Sequence, residues 1–299
     1  MEGRYSRLMS ADPPARQRRP LLVIMVLAVV AILGAGVYVA VRVLDSPDAS
    51  RADEQAETED EADPYPIPTR DAPTQAAPQD IAGPVLLIPG YGGTPETLNL
   101  LASILRNDGR DVTAVAMPGN ATGDLREQAE ALGLAATEAI ARSGAPSVDV
   151  IGYSIGGVVA RLWVAAYGGD ELARRVVTLG SPHHGLPPFT DASGNCPVSC
   201  QQLAVDSALL EQLNAGDETP EGPAFVSIWT TVDETVVPPE SAQLEGAINI
   251  PVQSVCADSV VSHGELITDP VIAGIVREEI MPTPPLEFSA ADCARLTPA

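Results

Sequence analysis

Five residues, Gly152-Tyr153-Ser154-Ile155-Gly156, constrain what this chain can fold into more than any other stretch. Ser147 to Ile151, just before them, is short, β-branched and apolar, the pattern of a buried strand. Gly157 to Tyr167, just after them, reads as a helix that stops at Gly168-Gly169. A serine spaced as Gly-x-Ser-x-Gly between a strand and a helix predicts a turn too tight for side chains at the flanking positions. Glycines sit there, and the serine hydroxyl stands exposed. The five-residue pattern alone arises often by chance. It gains weight only if a carboxylate and a histidine follow in the right order.

The surrounding chain alternates strand with helix. Val85 to Ile88 is a fully apolar strand that ends in Pro89-Gly90-Tyr91-Gly92-Gly93. Thr94 and Pro95 then open a helix carrying Leu98, Leu101 and Leu105, closed by Gly109. Asp111 to Met117 reads as a second strand, and Asp124 with Glu127 opens a helix to about Arg142, closed by Gly144. Past the serine, Arg175 to Leu179, Ala224 to Thr231 and Ala247 to Val255 read as strands, with a helix from about Asp269 to Glu279. Residues 186–223 carry no strand signal but include an amphipathic stretch with Leu203, Leu209, Leu210 and Leu213. Such alternation predicts an α/β fold, a mostly parallel sheet with helices on both faces.

A serine hydroxyl is a weak nucleophile and needs a base within hydrogen-bond reach, itself oriented by an acid. The chain has only three histidines. His263 lies beyond the last strand and Asp233 in the loop after the preceding one, which matches the order serine, acid, histidine. Ser154, Asp233 and His263 are therefore the candidate catalytic residues. Glu234 is an alternative acid, as are Asp191 and Asp206 if the acid sits one strand earlier. His183 and His184 precede every good acid candidate and are expected to shape a turn beside the site. Acyl chemistry also needs N–H donors for the developing oxyanion. The backbone of Ile155, at the start of the helix after the serine, supplies one, and the backbone of Tyr91 in the glycine-rich loop is the expected second. No Lys-Ser/Thr follows that loop, which argues against a phosphate site.

The N-terminal part reads differently. Residues 1–20 hold five arginines, and Leu21 to Ala40 is a run of twenty uncharged residues. At ~1.5 Å per residue this run spans a hydrocarbon core of about 30 Å. Residues 21–44 are therefore expected to be a single transmembrane helix, with 1–20 cytoplasmic and the remainder outside; a cleaved signal peptide is the competing reading. Between Asp45 and Asp63 stand nine acidic residues and one arginine, followed by recurrent prolines, so 45–80 reads as a disordered acidic and proline-rich tether. The globular domain is expected over 81–299. A net charge of −23, with 40 acidic residues against 17 arginines and no lysine, makes the chain a poor candidate for nucleic-acid binding, so no nucleic-acid partner is expected. Cys196, Cys200, Cys256 and Cys293 are an even number and, beside an export or membrane signal, point to disulfides. They offer no metal pattern.

Taken together, Ile88 through Gly93, Gly152 through Gly157, Leu179 through Gly185, Asp233 through Pro239, and His263 resemble the α/β-hydrolase lipases and esterases of bacteria. They are similar in particular to the small secreted triacylglycerol lipases of the Bacillus and Streptomyces type. The resemblance implies an α/β-hydrolase fold and a carboxylic-ester hydrolase that acts on an ester or lipid substrate without a cofactor. It gives Ser154 as nucleophile, Asp233 as acid, His263 as base, and Tyr91 and Ile155 as backbone donors. The same triad also serves acyltransferases, thioesterases and amidases, and a non-catalytic binding protein with a retained fold is the rival of another class. One departure is that many members begin the oxyanion loop with His-Gly, where this chain has Pro89-Gly90. Residues 186–223 are longer than the smallest members need and form either a partial cap stapled by Cys196–Cys200 or a plain surface insertion. Cys256 and Cys293 are then left to tie the tail to the domain.

Overall fold

Strands as apolar as Val85–Ile88 must be covered on both faces, and a parallel sheet flanked by helices does this. The computed structural model describes residues 66–73, 75–189 and 194–297. Its strands are β1 (Val85–Ile88), β2 (Val112–Ala114), β3 (Val148–Tyr153), β4 (Ala173–Leu179), β5 (Ala224–Trp229) and β6 (Ile248–Pro251). They form one six-stranded sheet in the order β2-β1-β3-β4-β5-β6, every pairing parallel. The helices of eight residues or more are α1 (Asn99–Asn107), α2 (Leu125–Ser143) and α3 (Ile155–Ala166), with the longest later one at Pro270–Glu279. Two shorter helices, α4 (Val198–Gln202) and α5 (Ala208–Leu213), lie in the 186–223 segment, so the Pro270–Glu279 helix is α6.

Side chains of one strand alternate between faces, and the core divides accordingly. Leu86, Ile88, Val150 and Val176 pack with α2 and α3, where Trp163 is fully buried. Val85, Leu87, Ile151 and Val177 pack on the other face with α1 and α6. Helix ends follow their sequence signals. Asp124 Oδ1 accepts the Arg126 N–H, Gly144 closes α2 in the left-handed conformation at φ 71°, and Asp269 caps α6.

Three expectations change. The strand expected over Asp111 to Met117 is only Val112–Ala114, an edge strand with a single neighbour, though backbone hydrogen bonds to β1 run from Asp111 to Val115. The apolar run from Ala247 to Val255 is half strand and half helical turn, because Pro251 caps a turn over Val252–Val255. Part of the expected tether lies against the domain: the Ile67 N–H donates to Gln212 Oε1 at 2.8 Å and Ala77 is buried. Residues 1–65, with the expected transmembrane helix over 21–44, fall outside the described residues. Among the described residues no helix is long and apolar enough to cross a membrane. Both expected disulfides, Cys196–Cys200 and Cys256–Cys293, are present.

Candidate active site

A parallel sheet brings the C-terminal ends of its strands to one edge, so the loops after β1, β3, β4, β5 and β6 converge there. Ser154 follows β3 at φ 53° and ψ −126°, a conformation a non-glycine residue adopts only when its surroundings enforce it. The surroundings are the glycines. A Cβ on Gly152 would meet the Gly156 carbonyl carbon at 2.5 Å, and one on Gly156 would meet the Ile88 carbonyl oxygen at 2.7 Å. The Ser154 N–H donates to the Leu179 carbonyl at 2.9 Å, which pins the turn to β4.

The three residues singled out for chemistry meet here. His263 Nε2 lies 3.1 Å from Ser154 Oγ, and His263 Nδ1 lies 2.7 Å from Asp233 Oδ2. Asp233 is itself fixed, since its Oδ1 accepts the N–H groups of Thr235 and Val236 at 2.8 and 2.7 Å. Asp233 and His263 are both buried, while Ser154 is half-buried. With Nδ1 protonated towards the carboxylate, Nε2 is left as the acceptor for the serine proton.

Two further groups hold His263 by its backbone. Glu234 Oε2 accepts the His263 N–H at 3.0 Å, so the residue weighed as an alternative acid orients the base from the other side. The Tyr153 hydroxyl donates to the His263 carbonyl at 3.2 Å, and the two rings lie 5.2 Å apart. Burial, with the Asp233 and Glu234 carboxylates adding to it, pushes the Tyr153 phenol up to about 12. Tyr153 therefore stays a donor across the working pH range. On the far side, the Ser262 and Glu265 side chains form a reciprocal cap on the turn His263–Ile267.

Ser154 and His263 open into a cavity of about 480 Å³. Tyr91 and Ile155, the expected oxyanion donors, line it as well. Ile155 is the first residue of α3, so its N–H has no acceptor within the helix and sits at the positive end of the dipole. The opposite wall comes from the 186–223 segment through Leu186, Pro187, Pro188, Phe189 and Leu203. That segment is docked on the helix behind the serine by Arg161, the one charged residue of α3. Its guanidinium donates to the Leu213 carbonyl, Asn214 Oδ1 and the Glu218 carbonyl at 2.7–2.8 Å. Burial lowers Arg161 to about 10, which leaves it charged at neutral pH.

The remaining candidates go elsewhere. His183 is wholly buried with Nε2 3.2 Å from Thr178 Oγ1, and burial holds its pKa well below 6.5, so it is neutral. His184 pairs with Glu218 at 2.7 Å. Asp206 is exposed and Asp191 falls outside the described residues. The sequence reading missed Tyr153, Arg161 and Phe189 as parts of the site. Of these only Arg161 left a signal, a lone charge on an otherwise apolar helix.

The sequence matches the PGAP1-like alpha/beta domain family over residues 81–264. No curated protein matches it. Among solved structures, lipase B of Aspergillus fumigatus is similar with a TM-score of 0.60 at 20% identity, over 76% of this chain and 60% of that one. The propeptide form of Bacillus licheniformis lipase BlEst2 is similar with a TM-score of 0.54 at 16% identity, over 73% of this chain and 53% of that one. This chain thus spans 60% or less of the length of either lipase, and the likeness is one of fold. The family match runs from just before β1 to the residue after His263 and takes in every loop that meets at Ser154, and on that ground the chain belongs to the PGAP1-like alpha/beta domain family.

Proposed function

We propose that this protein is a serine-dependent carboxylic-ester hydrolase of the lipase and esterase class. The observation that carries this reading is the unbroken hydrogen-bonded chain from Asp233 through His263 to Ser154, ending at the mouth of an apolar cavity. Ser154 Oγ attacks the ester carbonyl as its proton passes to His263 Nε2. The carbonyl oxygen becomes an oxyanion, met by the backbone N–H groups of Ile155 and Tyr91. Collapse of the tetrahedral intermediate breaks the bond to the alcohol oxygen, which leaves with the proton from Nε2. Water then attacks the acyl-enzyme, gives a proton to Nε2, and the acid departs as the proton returns to Ser154. Asp233 keeps the imidazole in the required tautomer throughout. Nothing in this sequence of steps requires a cofactor.

The finer likeness to small secreted triacylglycerol lipases is part of the same proposal, supported by the motifs after β1, β3 and β4. So is an external, membrane-tethered location. The arginine-flanked apolar run over 21–41 supports it, and two disulfides fit an oxidising compartment. A fluorophosphonate probe tests the nucleophile. The proposal expects labelling of the native protein and none of Ser154→Ala; labelling that survives the substitution sinks the assignment.

A further inference from the structure

Resting on the hydrolase reading, we propose that the site selects uncharged acyl esters of short to medium length, and that Phe189, packed on Tyr91, closes the acyl cavity and sets that length. The volume is the first argument. At about 30 Å³ per water-sized unit, a space of this size holds about 16 heavy atoms. The reacting carboxyl group and part of the alcohol occupy some of it, which leaves room for about ten acyl carbons. A sixteen-carbon chain would run past the mouth and leave its far end outside the apolar walls.

The lining is the second argument. Among the described lining residues His263 carries the one imidazole and none carries a carboxylate or a guanidinium; the other walls are aliphatic, aromatic, proline, serine and threonine. Two carboxylates, Asp233 and Glu234, stand behind His263. Arg161, the buried cation between α3 and the 186–223 segment, directs its hydrogen bonds to Leu213, Asn214 and Glu218 instead. An acyl chain that ends in a carboxylate or phosphate would enter without a partner for its charge and beside charges of its own sign.

The Phe189 wall is held in place from several sides. The Phe189 ring meets Tyr91 edge to face at 5.8 Å between centroids, so it rests on the loop that carries an oxyanion donor. Behind it, Cys200 Sγ of the Cys196–Cys200 disulfide lies 3.0 Å from the Phe189 carbonyl oxygen. The chain around it is tied down on two sides. The Leu186 N–H donates to the Leu203 carbonyl at 2.8 Å, and Gln202 exchanges hydrogen bonds with Leu125 and Asp124 at the start of α2. Leu186 and Leu203 face the same cavity as Phe189.

The experiment is a nitrophenyl-ester series from two to sixteen acyl carbons on the full chain, its Phe189→Ala variant and its Phe189→Trp variant. An ester of the same length ending in a free carboxylate is run beside it. The native enzyme should peak at or below about ten carbons and fall at least about tenfold by sixteen, since single methylenes in an apolar pocket already discriminate on this scale. Phe189→Ala should move the optimum to longer chains and Phe189→Trp to shorter ones. The carboxylate-ended ester should be at least about tenfold slower than its uncharged counterpart. A native profile flat to sixteen carbons, an optimum unmoved in a variant that fluorophosphonate still labels like the native protein, or equal turnover of the charged ester would each overturn the proposal. If no ester is turned over and Ser154 is not labelled, the hydrolase reading fails and this one with it.

Discussion

The two ends of β3 each carry a polar network, and the two are built on opposite plans. At the N-terminal end Asp149 is fully buried and held by Arg174 at 2.8 and 2.7 Å and by Arg110 at 2.6 Å. Arg174 completes its set with the carbonyls of Gln79, Ile280 and Met281, so every guanidinium N–H has an acceptor. Arg110 adds the carbonyls of Gly83 and Ile280. This cluster sews the chain before β1 and the chain after α6 to the bottom of the sheet. At the C-terminal end the backbone is strained at Ser154, and the side chains of Ser154 and His263 face the cavity. Saturated hydrogen bonding serves stability at one end, and under the proposed function strain and exposure serve reactivity at the other.

Substitutions should separate the two ends. Ser154→Ala should lower kcat/KM by about four to six orders of magnitude and leave stability unchanged, because the serine hydroxyl makes no contact that the fold needs. Asp149→Ala should do the reverse. Removing one partner of a buried, hydrogen-bonded ion cluster costs about 3–5 kcal/mol, read as a lower denaturation midpoint, while turnover per folded molecule stays near native. If Asp149→Ala lost activity without losing stability, the division between the ends would break down.

Glu234 gives a finer cut. Glu234→Ala removes the acceptor for the His263 N–H and should lower kcat about tenfold, whereas Glu234→Gln keeps an oxygen there and should recover most of the rate. Equal loss in both variants would mean that the charge, and not the hydrogen bond, positions the base.

A pH-dependent effect belongs to the other end of β3. Glu279 is buried, and burial pushes its carboxyl from 4.5 up to about 7 against the opposing pull of the Leu286 N–H and Arg175. The folded protein thus holds this proton more tightly than the unfolded chain. Its stabilising contribution is complete below about pH 4.5 and is lost as the pH rises through about 7. Between those limits stability should fall by up to about 1.4 kcal/mol per pH unit from this group, and the difference between native protein and Glu279→Gln should isolate that slope. His183, held neutral by burial, acts in the opposite sense below 6.5, which is why the difference and not the native curve is the measurement.

What the sequence disclosed and what it withheld divide along contact range. The elbow was legible because a strand, two glycines and a helix are local constraints, and a Cβ on Gly152 would collide with the backbone of Gly156 and Gly157 a few residues on. Asp233 and His263 were legible because a parallel sheet sends every strand end to one edge, so chain order becomes proximity. The run past Pro251 misled because a short apolar stretch has no periodicity to tell strand from helical turn. Phe189 and the grip of Arg161 on the 186–223 segment were invisible. Their partners lie 98 and about 55 residues away across irregular chain, at positions set by tertiary packing alone. Glu234 was visible as a carboxylate, but its partner, a backbone N–H, leaves no mark in a sequence.

The central claim is that Ser154 becomes covalently acylated. Mixing the protein with a nitrophenyl ester, quenching in acid within the first turnovers and mapping the peptides by mass spectrometry tests it directly. The account predicts that the peptide bearing Ser154 gains the mass of the acyl group, and that the gain disappears in Ser154→Ala. Turnover of the ester with no acyl mass on that peptide, or with the acyl group on another residue, would contradict it.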